Sequence, residues 1–362
     1  MSASLVRPRR DPAKQARGRR IVLWLVGLFV AAQGIAGYGI DRHGLAFRFQ
    51  IASNVLLEAE AGPPPNVVWM GSSRSEGGVR PDVMNLGLWR RFGRHRVNLF
   101  NAAVPAGDPV VSEFLLDALL ERGHRPEILV VEVSPDMLAR PSGWVGMHVI
   151  RQTNWAEVPA ILPEAARTQN AARLVMARML PLYMHRRNLR AVVLPPPVSS
   201  EPSPLVSSRC WAMGHSHWAH RDDYPDPPPS PVLSSRRIDF DVGRLAQTFV
   251  GYRTDGVVSA ALERLLARCD AEGISVVLVL PAVSQNFRDI YTPEVEVRFQ
   301  DHLARLRETH PFEVVDLRDT VPDAGFVDLH HLDFDSGALL YSRAALKRVV
   351  LPAVERRRAA SR

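Results

Sequence analysis

Five short apolar runs constrain this chain more than any other feature of its sequence. They are NVVWM (66–70), RVNLF (96–100), EILVVEV (127–133), ISVVLVL (274–280) and FEVVDL (312–317), each rich in Val, Ile and Leu. A strand with one wet face alternates polar and apolar residues. A strand covered on both faces reads as a continuous apolar run, as in parallel sheets. Each run stops at a turn or a polar residue: Gly71, Asn101, Ser134-Pro135, Pro281 and Arg318.

Helical patterns lie between the runs and carry their own start and stop signals. After Asp108-Pro109, the stretch VVSEFLLDALLERG places Val111, Phe114, Leu115, Ala118 and Leu119 on one face. Asp108 suits the N-cap, Pro109 the first helical position and Gly123 the stop. SAALERLLARCDAEG (259–273) repeats the scheme, PEVEVRFQDHLARLRETH (293–310) follows the fourth run, and SGALLYSRAALKRVVLPAVERRR (336–358) closes the series. Strand and helix in alternation predict an α/β fold, a three-layer α/β/α sandwich around a mainly parallel five-stranded sheet. In such a sheet, sites form at the carboxyl ends of the strands.

Ile21 to Ile40 reads IVLWLVGLFVAAQGIAGYGI, with no charge and only Gln33 strongly polar. Twenty helical residues at about 1.5 Å each span the hydrocarbon core of a bilayer. The seven basic residues before it predict a cytoplasmic N-terminus, with the rest of the chain on the far side of the inner membrane. A cleaved signal peptide is the rival reading, with AGYG offering small residues for cleavage. The expected organisation is a basic cytoplasmic tail (1–20), a single-pass transmembrane anchor (21–40) and a connector (41–63). The α/β domain follows in two parts (64–138 and 256–350), with a helical and Pro/Ser-rich insertion (139–255) between them and a basic tail (351–362) at the end.

At 46% hydrophobic and 23% charged, the 362 residues have a globular composition. Two cysteines, Cys210 and Cys269, exclude a disulfide-built scaffold and a four-cysteine zinc module. The net charge of +7 comes from the two ends: residues 1–20 and 343–362 each hold seven basic residues against one acid, which leaves the body acidic. A nucleic-acid partner is therefore not expected, since phosphate binding needs cations across the contact surface.

Two motifs carry chemistry. Met70-Gly71-Ser72-Ser73-Arg74-Ser75 follows the first run, so its serines stand on a tight turn at the top of the sheet. Phe326-Val327-Asp328-Leu329-His330-His331-Leu332 follows the fifth run, at the same edge. A histidine there can take a serine's proton, and a carboxylate three residues earlier can hold the imidazole's other N–H. A Ser-rich connecting turn and a solvated His pair are the plain alternatives for either motif alone.

These two motifs resemble the first and last blocks of the SGNH (GDSL-like) hydrolase superfamily: Gly71-Ser72-Ser73, and Asp328-x-x-His331-Leu332. The nearer resemblance is to its membrane-anchored bacterial branch, which includes the D-alanyl transfer protein of teichoic acid modification and the alginate O-acetyltransferases. It covers residues 64–138 and 272–345, the two parts of an SGNH-like, flavodoxin-like domain. The resemblance implies that Ser73 is the nucleophile and that Asp328 and His331 complete a triad, with Ser72 and Ser75 as alternative nucleophiles. Asn101-Ala102-Ala103-Val104-Pro105-Ala106-Gly107 resembles the branch's N-x-G-x-x-G stretch, so Gly107 would lend an oxyanion N–H beside that of Ser73. The Gly-x-Asn-Asp block of the superfamily's esterases is missing, and Ser134 stands in its place. The resemblance further implies an acyltransferase or esterase acting on acyl groups, of O-acetyl type, on a cell-envelope glycan. Its partners would be the bilayer at 21–40 and a membrane-bound acyl-donor protein, and it implies no cofactor or metal.

Arg74, beside Ser73, is a candidate for binding an anionic substrate. Cys210, His215, His217, His220, Asp222 and Asp223 could hold a metal, but their spacing matches no common module. Trp69, Trp89, Trp144, Trp155, Trp211 and Trp218 could stack on sugars or pack in the core. The missing Asn block motivates a second reading, a catalytically silent binding or assembly subunit of an envelope polysaccharide system. A third has the basic C-terminal helix (346–362) bind anionic lipid or polymer.

Overall fold

The computed structural model describes residues 12–43, 50–139, 154–156, 158–167, 169–186, 242–243 and 245–361. The N-terminal half contains α1 (Pro12–His43), α2 (Gln50–Ala61), β1 (Val67–Met70), α3 (Ser73–Gly78), α4 (Pro81–Phe92), β2 (Leu99–Asn101), α5 (Pro109–Glu121), β3 (Ile128–Glu132) and α6 (Pro135–Leu138). The insertion contributes α7 (Val158–Arg167), α8 (Ala171–Met179) and α9 (Pro181–Met184). Then come α10 (Val257–Glu272), β4 (Ser275–Leu280), α11 (Gln285–Arg288), α12 (Pro293–Arg307), β5 (Phe312–Asp316), α13 (Gly337–Ala345) and α14 (Leu351–Ala360), the last two joined by a π-helical turn at Leu346–Val350.

All five expected runs form strands, and every pairing between them is parallel, in the order β2-β1-β3-β4-β5. Successive residues of each strand enter opposite cores, as a period of two requires. Val68, Met70, Leu129, Val131 and Leu278 pack with α2, α5, α10 and α12. Val67, Trp69, Val130, Val277 and Val279 pack with α4, α13 and α14. The chain is thus a three-layer α/β/α sandwich. Its connectivity reverses between β1 and β3, which opens a crevice at their carboxyl ends.

The helix signals act locally as their chemistry dictates. The Asp108 carboxylate caps α5 by accepting the Val111 N–H at 3.1 Å. Gly273 ends α10 in the left-handed conformation (φ 67°), where a Cβ would be strained.

Two expected segments differ from their sequence appearance. Within the connector, Val55, Leu56 and Ala59 of α2 are core residues. The expected basic tail at 351–362 forms α14, with Ala353 and Val354 buried against the sheet. Its arginines serve the fold: Arg356 pairs with Glu313, Arg357 donates to the Gly273 carbonyl at 2.9 Å, and Arg358 lies 4.6 Å from the Phe92 ring. Of the three, Arg356 is the one paired with an acid; Arg357 and Arg358 keep their charge while they brace the helix.

Helix α1 contains one segment, Ala16–Arg42, long and apolar enough to cross a membrane. Its large apolar side chains, among them Leu23, Trp24 and Phe29, are exposed. The insertion helices α7–α9 have a small core of their own (Ala165, Leu174 and Ala177), and α8 and α9 pack on the C-terminal part of α1.

Candidate active site

Ser73 is the first residue of α3, reached from β1 through a turn that only glycine permits. A Cβ on Gly71 would lie 2.5 Å from a Glu132 carboxylate oxygen and 2.7 Å from Ser75 Oγ. Ser72 is the N-cap, its hydroxyl accepting the Arg74 N–H at 3.2 Å. Ser73 N–H occupies the first helical position, where an α-helix supplies no internal acceptor.

Ser73 Oγ lies 2.7 Å from His331 Nε2, across 258 residues of sequence. His331 Nδ1 lies 2.6 Å from Asp328 Oδ2. The other Asp328 oxygen accepts the backbone N–H groups of His330 (2.8 Å) and His331 (2.6 Å), so the carboxylate cannot swing away. Burial alone would raise the Asp328 pKa. The hydrogen bond and charge of His331, with His330 and the backbone donors, instead hold it well below the usual carboxylate range. An ionised carboxylate only accepts, so the His331 proton it holds is on Nδ1, and in the neutral imidazole Nε2 is the atom that accepts from the Ser73 hydroxyl. Both side chains, Asp328 and His331, are about one-third exposed, at 32% and 34%, so a large substrate can reach them.

The adjacent His330 does different work. Its ring stacks on His331 (centroids 4.2 Å apart) and leans on Phe287 (5.4 Å). Its Nδ1 is buried without a hydrogen bond, and desolvation together with the His331 charge pushes its pKa down to about 3. It is a neutral packing group at ordinary pH.

The two other serines of the turn face inward. Ser72 Oγ donates to Glu132 Oε1 at 2.6 Å, and Ser75 Oγ to Glu132 Oε2 at 2.5 Å while accepting Trp69 Nε1–H at 3.0 Å. Of the three candidates, Ser73 is the one that meets a histidine.

Three expected binding roles change. Sequence places Arg74 against substrate, but its guanidinium is buried. It pairs with Glu132 (3.0 Å) and Asp136 (3.3 Å) and donates to Ser134 Oγ (2.8 Å). Burial would lower its pKa, and the charges of Asp136 and Glu132 raise it, so it stays charged. Ser134, expected at the oxyanion position, is buried and its hydroxyl is held by that arginine. Gly107, the other expected oxyanion donor, gives its N–H to the Val104 carbonyl at 2.8 Å. Glycine is needed there for another reason: a Cβ would sit 2.2 Å from the Gly71 carbonyl oxygen. The loop is further held by Val104 N–H on Gly71 O (3.0 Å), and the Asn101 side chain donates to the Ser75 and Val79 carbonyls at 3.0 Å each.

Glu132 is a site residue that the sequence motifs do not single out. It accepts from Ser72 N–H, Ser72 Oγ, Ser75 Oγ and Arg74 Nε, all within 3.0 Å, and so fixes the turn that presents Ser73. The signal was there: an acid inside an otherwise apolar strand must find partners or neutralise.

Donor atoms of Asp328, His330 and His331 lie within 4.8 Å of one another, a spacing a metal ion can use. Both His331 nitrogens are in short hydrogen bonds, to Ser73 Oγ and Asp328 Oδ2, which an ion bound there would have to replace. The group Cys210, His215, His217, His220, Asp222 and Asp223 lies outside the described residues, as do Trp144, Trp211 and Trp218. Trp69 is a core residue, Trp89 packs at a tilt against the His95 ring, and Trp155 is exposed. No protein-family model and no curated protein matches the chain.

Proposed function

We propose that this chain is a membrane-anchored extracytoplasmic serine acyltransferase or esterase, acting on O-acetyl-type acyl groups of a cell-envelope glycan. The observation that carries this reading is the relay from Ser73 Oγ to His331 Nε2 (2.7 Å) and from His331 Nδ1 to Asp328 (2.6 Å). In this mechanism Ser73 Oγ attacks the acyl carbonyl as His331 takes its proton. Asp328 holds the Nδ1–H and stabilises the imidazolium. Collapse of the tetrahedral intermediate breaks the bond to the leaving alcohol or thiol, which receives the proton from His331. Water or a sugar hydroxyl then attacks the acyl-enzyme, with His331 again the base. The Ser73 N–H at the start of α3 is the member of the expected oxyanion set left to stabilise the intermediate.

The resemblance to the membrane-anchored SGNH branch and the apolar α1 support the placement: N-terminus cytoplasmic, residues 21–40 in the inner membrane, working domain outside. A membrane-bound acyl-donor protein and an envelope glycan are the partners this reading requires, and the relay itself calls for no cofactor. The test is acetate release from p-nitrophenyl acetate and from O-acetylated glycan by the full chain. Release that disappears in Ser73→Ala and His331→Ala supports the reading. Release unchanged in both variants contradicts it.

One observation favours a second reading, a silent SGNH-like binding or assembly subunit. Of the three expected oxyanion donors, Gly107 gives its N–H to Val104, and Ser134 is buried, its hydroxyl accepting from Arg74. Glycan binding that survives Ser73→Ala, in a protein with no acyl turnover, would select it.

A further inference from the structure

The insertion helices touch α1 below the level at which α1 would leave a membrane. Arg178, at the end of α8, pairs with Asp41 at 2.9 Å. Next along the chain, Pro181 packs on Gly37, where an added Cβ would lie 3.4 Å from its ring. Leu182 N–H, one of the unpaired leading amides of α9, donates to Gln33 Oε1 at 3.2 Å. The α8–α9 corner therefore runs down α1 as sequence numbers on α1 fall from 41 to 33. Eight residues of helix are about 12 Å. Gln33, the strongly polar residue within the apolar segment, is buried by this contact.

The corner's outer face is apolar. Met179 is 57% exposed and Tyr183 52%; on α1 itself Ile35, on another face of the helix from Gln33 and Gly37, is 74% exposed. At the exit level Arg42 lies over the Tyr38 ring (6.0 Å); past the corner Arg186 lies over Tyr183 (4.2 Å), with a flexible stem that can carry its charge towards the headgroups. Aromatic rings with an arginine reaching outward mark the boundary between lipid and water.

We infer that the α8–α9 corner, residues 179–183, dips into the outer leaflet beside α1 and forms with it a two-part membrane footing. This rests on the reading of α1 as a membrane span. If Ile40 marks the end of the apolar core, Pro181 and Leu182 lie below the headgroups, and the exposed Met179 and Tyr183 side chains face acyl chains. The occupant of this face is lipid. Gln33 is then satisfied inside the bilayer by the α9 amide, which would otherwise have no partner there.

The test uses the full chain in vesicles of phosphatidylcholine and phosphatidylglycerol, with an NBD fluorophore on single introduced cysteines. Cys210 is replaced by serine. Cys269 is buried, with its thiol pushed up by desolvation to about 12, and stays unlabelled. The labelled variants are Met179→Cys and Tyr183→Cys, with Ile35→Cys as the lipid control and Val297→Cys, on α12, as the water control. All four positions are exposed, so the changes leave the packing intact. The expected result is quenching at 179 and 183 by lipids that carry a nitroxide near the headgroup, as at 35, and loss of the iodide quenching seen at 297. Iodide quenching at 179 and 183 while 35 stays in lipid overturns the footing and leaves the anchor standing. Iodide quenching at 35 as well overturns both. Protection from iodide without nitroxide quenching means that a protein, a second copy or another partner, covers the corner, and it also overturns the inference.

Discussion

Two clusters of polar side chains share one edge of the sheet and have opposite fates. Ser73, His331 and Asp328 form a chain of hydrogen bonds open to solvent. Glu132, Arg74, Asp136, Ser72 and Ser75 form a buried network directly behind it. Both contain serine and carboxylate, and Ser72, Ser73, Arg74 and Ser75 are consecutive. What separates them is direction. On the first turn of α3, Ser73 points out of the sheet edge, while its neighbours point in towards Glu132. The first cluster is arranged to exchange a proton. In the second, each proton is held between two protein groups and has nowhere to go. The two meet through a stack of rings: the Arg74 guanidinium lies 5.9 Å from the Phe287 ring, which contacts His330, which stacks on His331. The buried network and the open one are thus joined by packed rings.

Substitutions should separate the two clusters by the quantity they change. Ser73→Ala and His331→Ala should each cost about 10⁴- to 10⁶-fold in acyl turnover. Both positions are partly exposed, so urea midpoints should stay within about 0.5 kcal/mol of the parent. Asp328→Asn should follow with about 10⁴-fold, because the amide favours the wrong His331 tautomer.

Arg74→Ala should act the other way, on stability first. It leaves Glu132 and Asp136 buried without their cation, at a cost of about 3–5 kcal/mol in urea denaturation. An Arg74→Ala protein as stable as the parent would show that the network contributes little to folding. Gly107→Ala should cost less, about 1–3 kcal/mol, because the loop must back away from the Gly71 carbonyl. Turnover per folded molecule should fall with it, since the same loop holds the Ser73 turn.

A last effect, read in pH and not in turnover, concerns Glu76, one turn after Ser73 on α3. Its Oε1 is buried without a hydrogen bond, and desolvation pushes its pKa up to about 8 from an ordinary 4.5. The folded state then holds the proton more tightly than the unfolded chain, so stability is full below about 4.5 and declines as pH rises to 8. Glu76→Gln should remove that decline, read as a Tm that no longer falls across this window.

Much of the fold was legible because its three central strands, β1, β3 and β4, are covered on both faces. Unbroken Val, Ile and Leu runs fit little besides a buried parallel sheet, and Asp108-Pro109 and Gly273 announce helix ends by local chemistry. Asp328 and His331 were legible because their relation is local, three residues on one turn. The partners of Arg74 were not, since Glu132 and Asp136 lie 58 and 62 residues away and only packing brings them together. The Gly107 N–H shows the same limit: a glycine in a suggestive loop can serve close approach as readily as substrate. The arginines of α14 looked like a tail because sequence shows charge but not the Glu313 and Gly273 groups waiting at the sheet's edge.

Everything above turns on one serine of three being activated while its neighbours are locked. Fluorophosphonate labelling of the folded full chain, with the adduct located by mass spectrometry, tests this directly. Trypsin cuts after Arg74 and separates Ser75 from the other two, and fragment ions distinguish Ser72 from Ser73. The expected result is a single adduct on Ser73, lost in His331→Ala. An adduct on Ser72 or Ser75, or none on the folded protein, would contradict it.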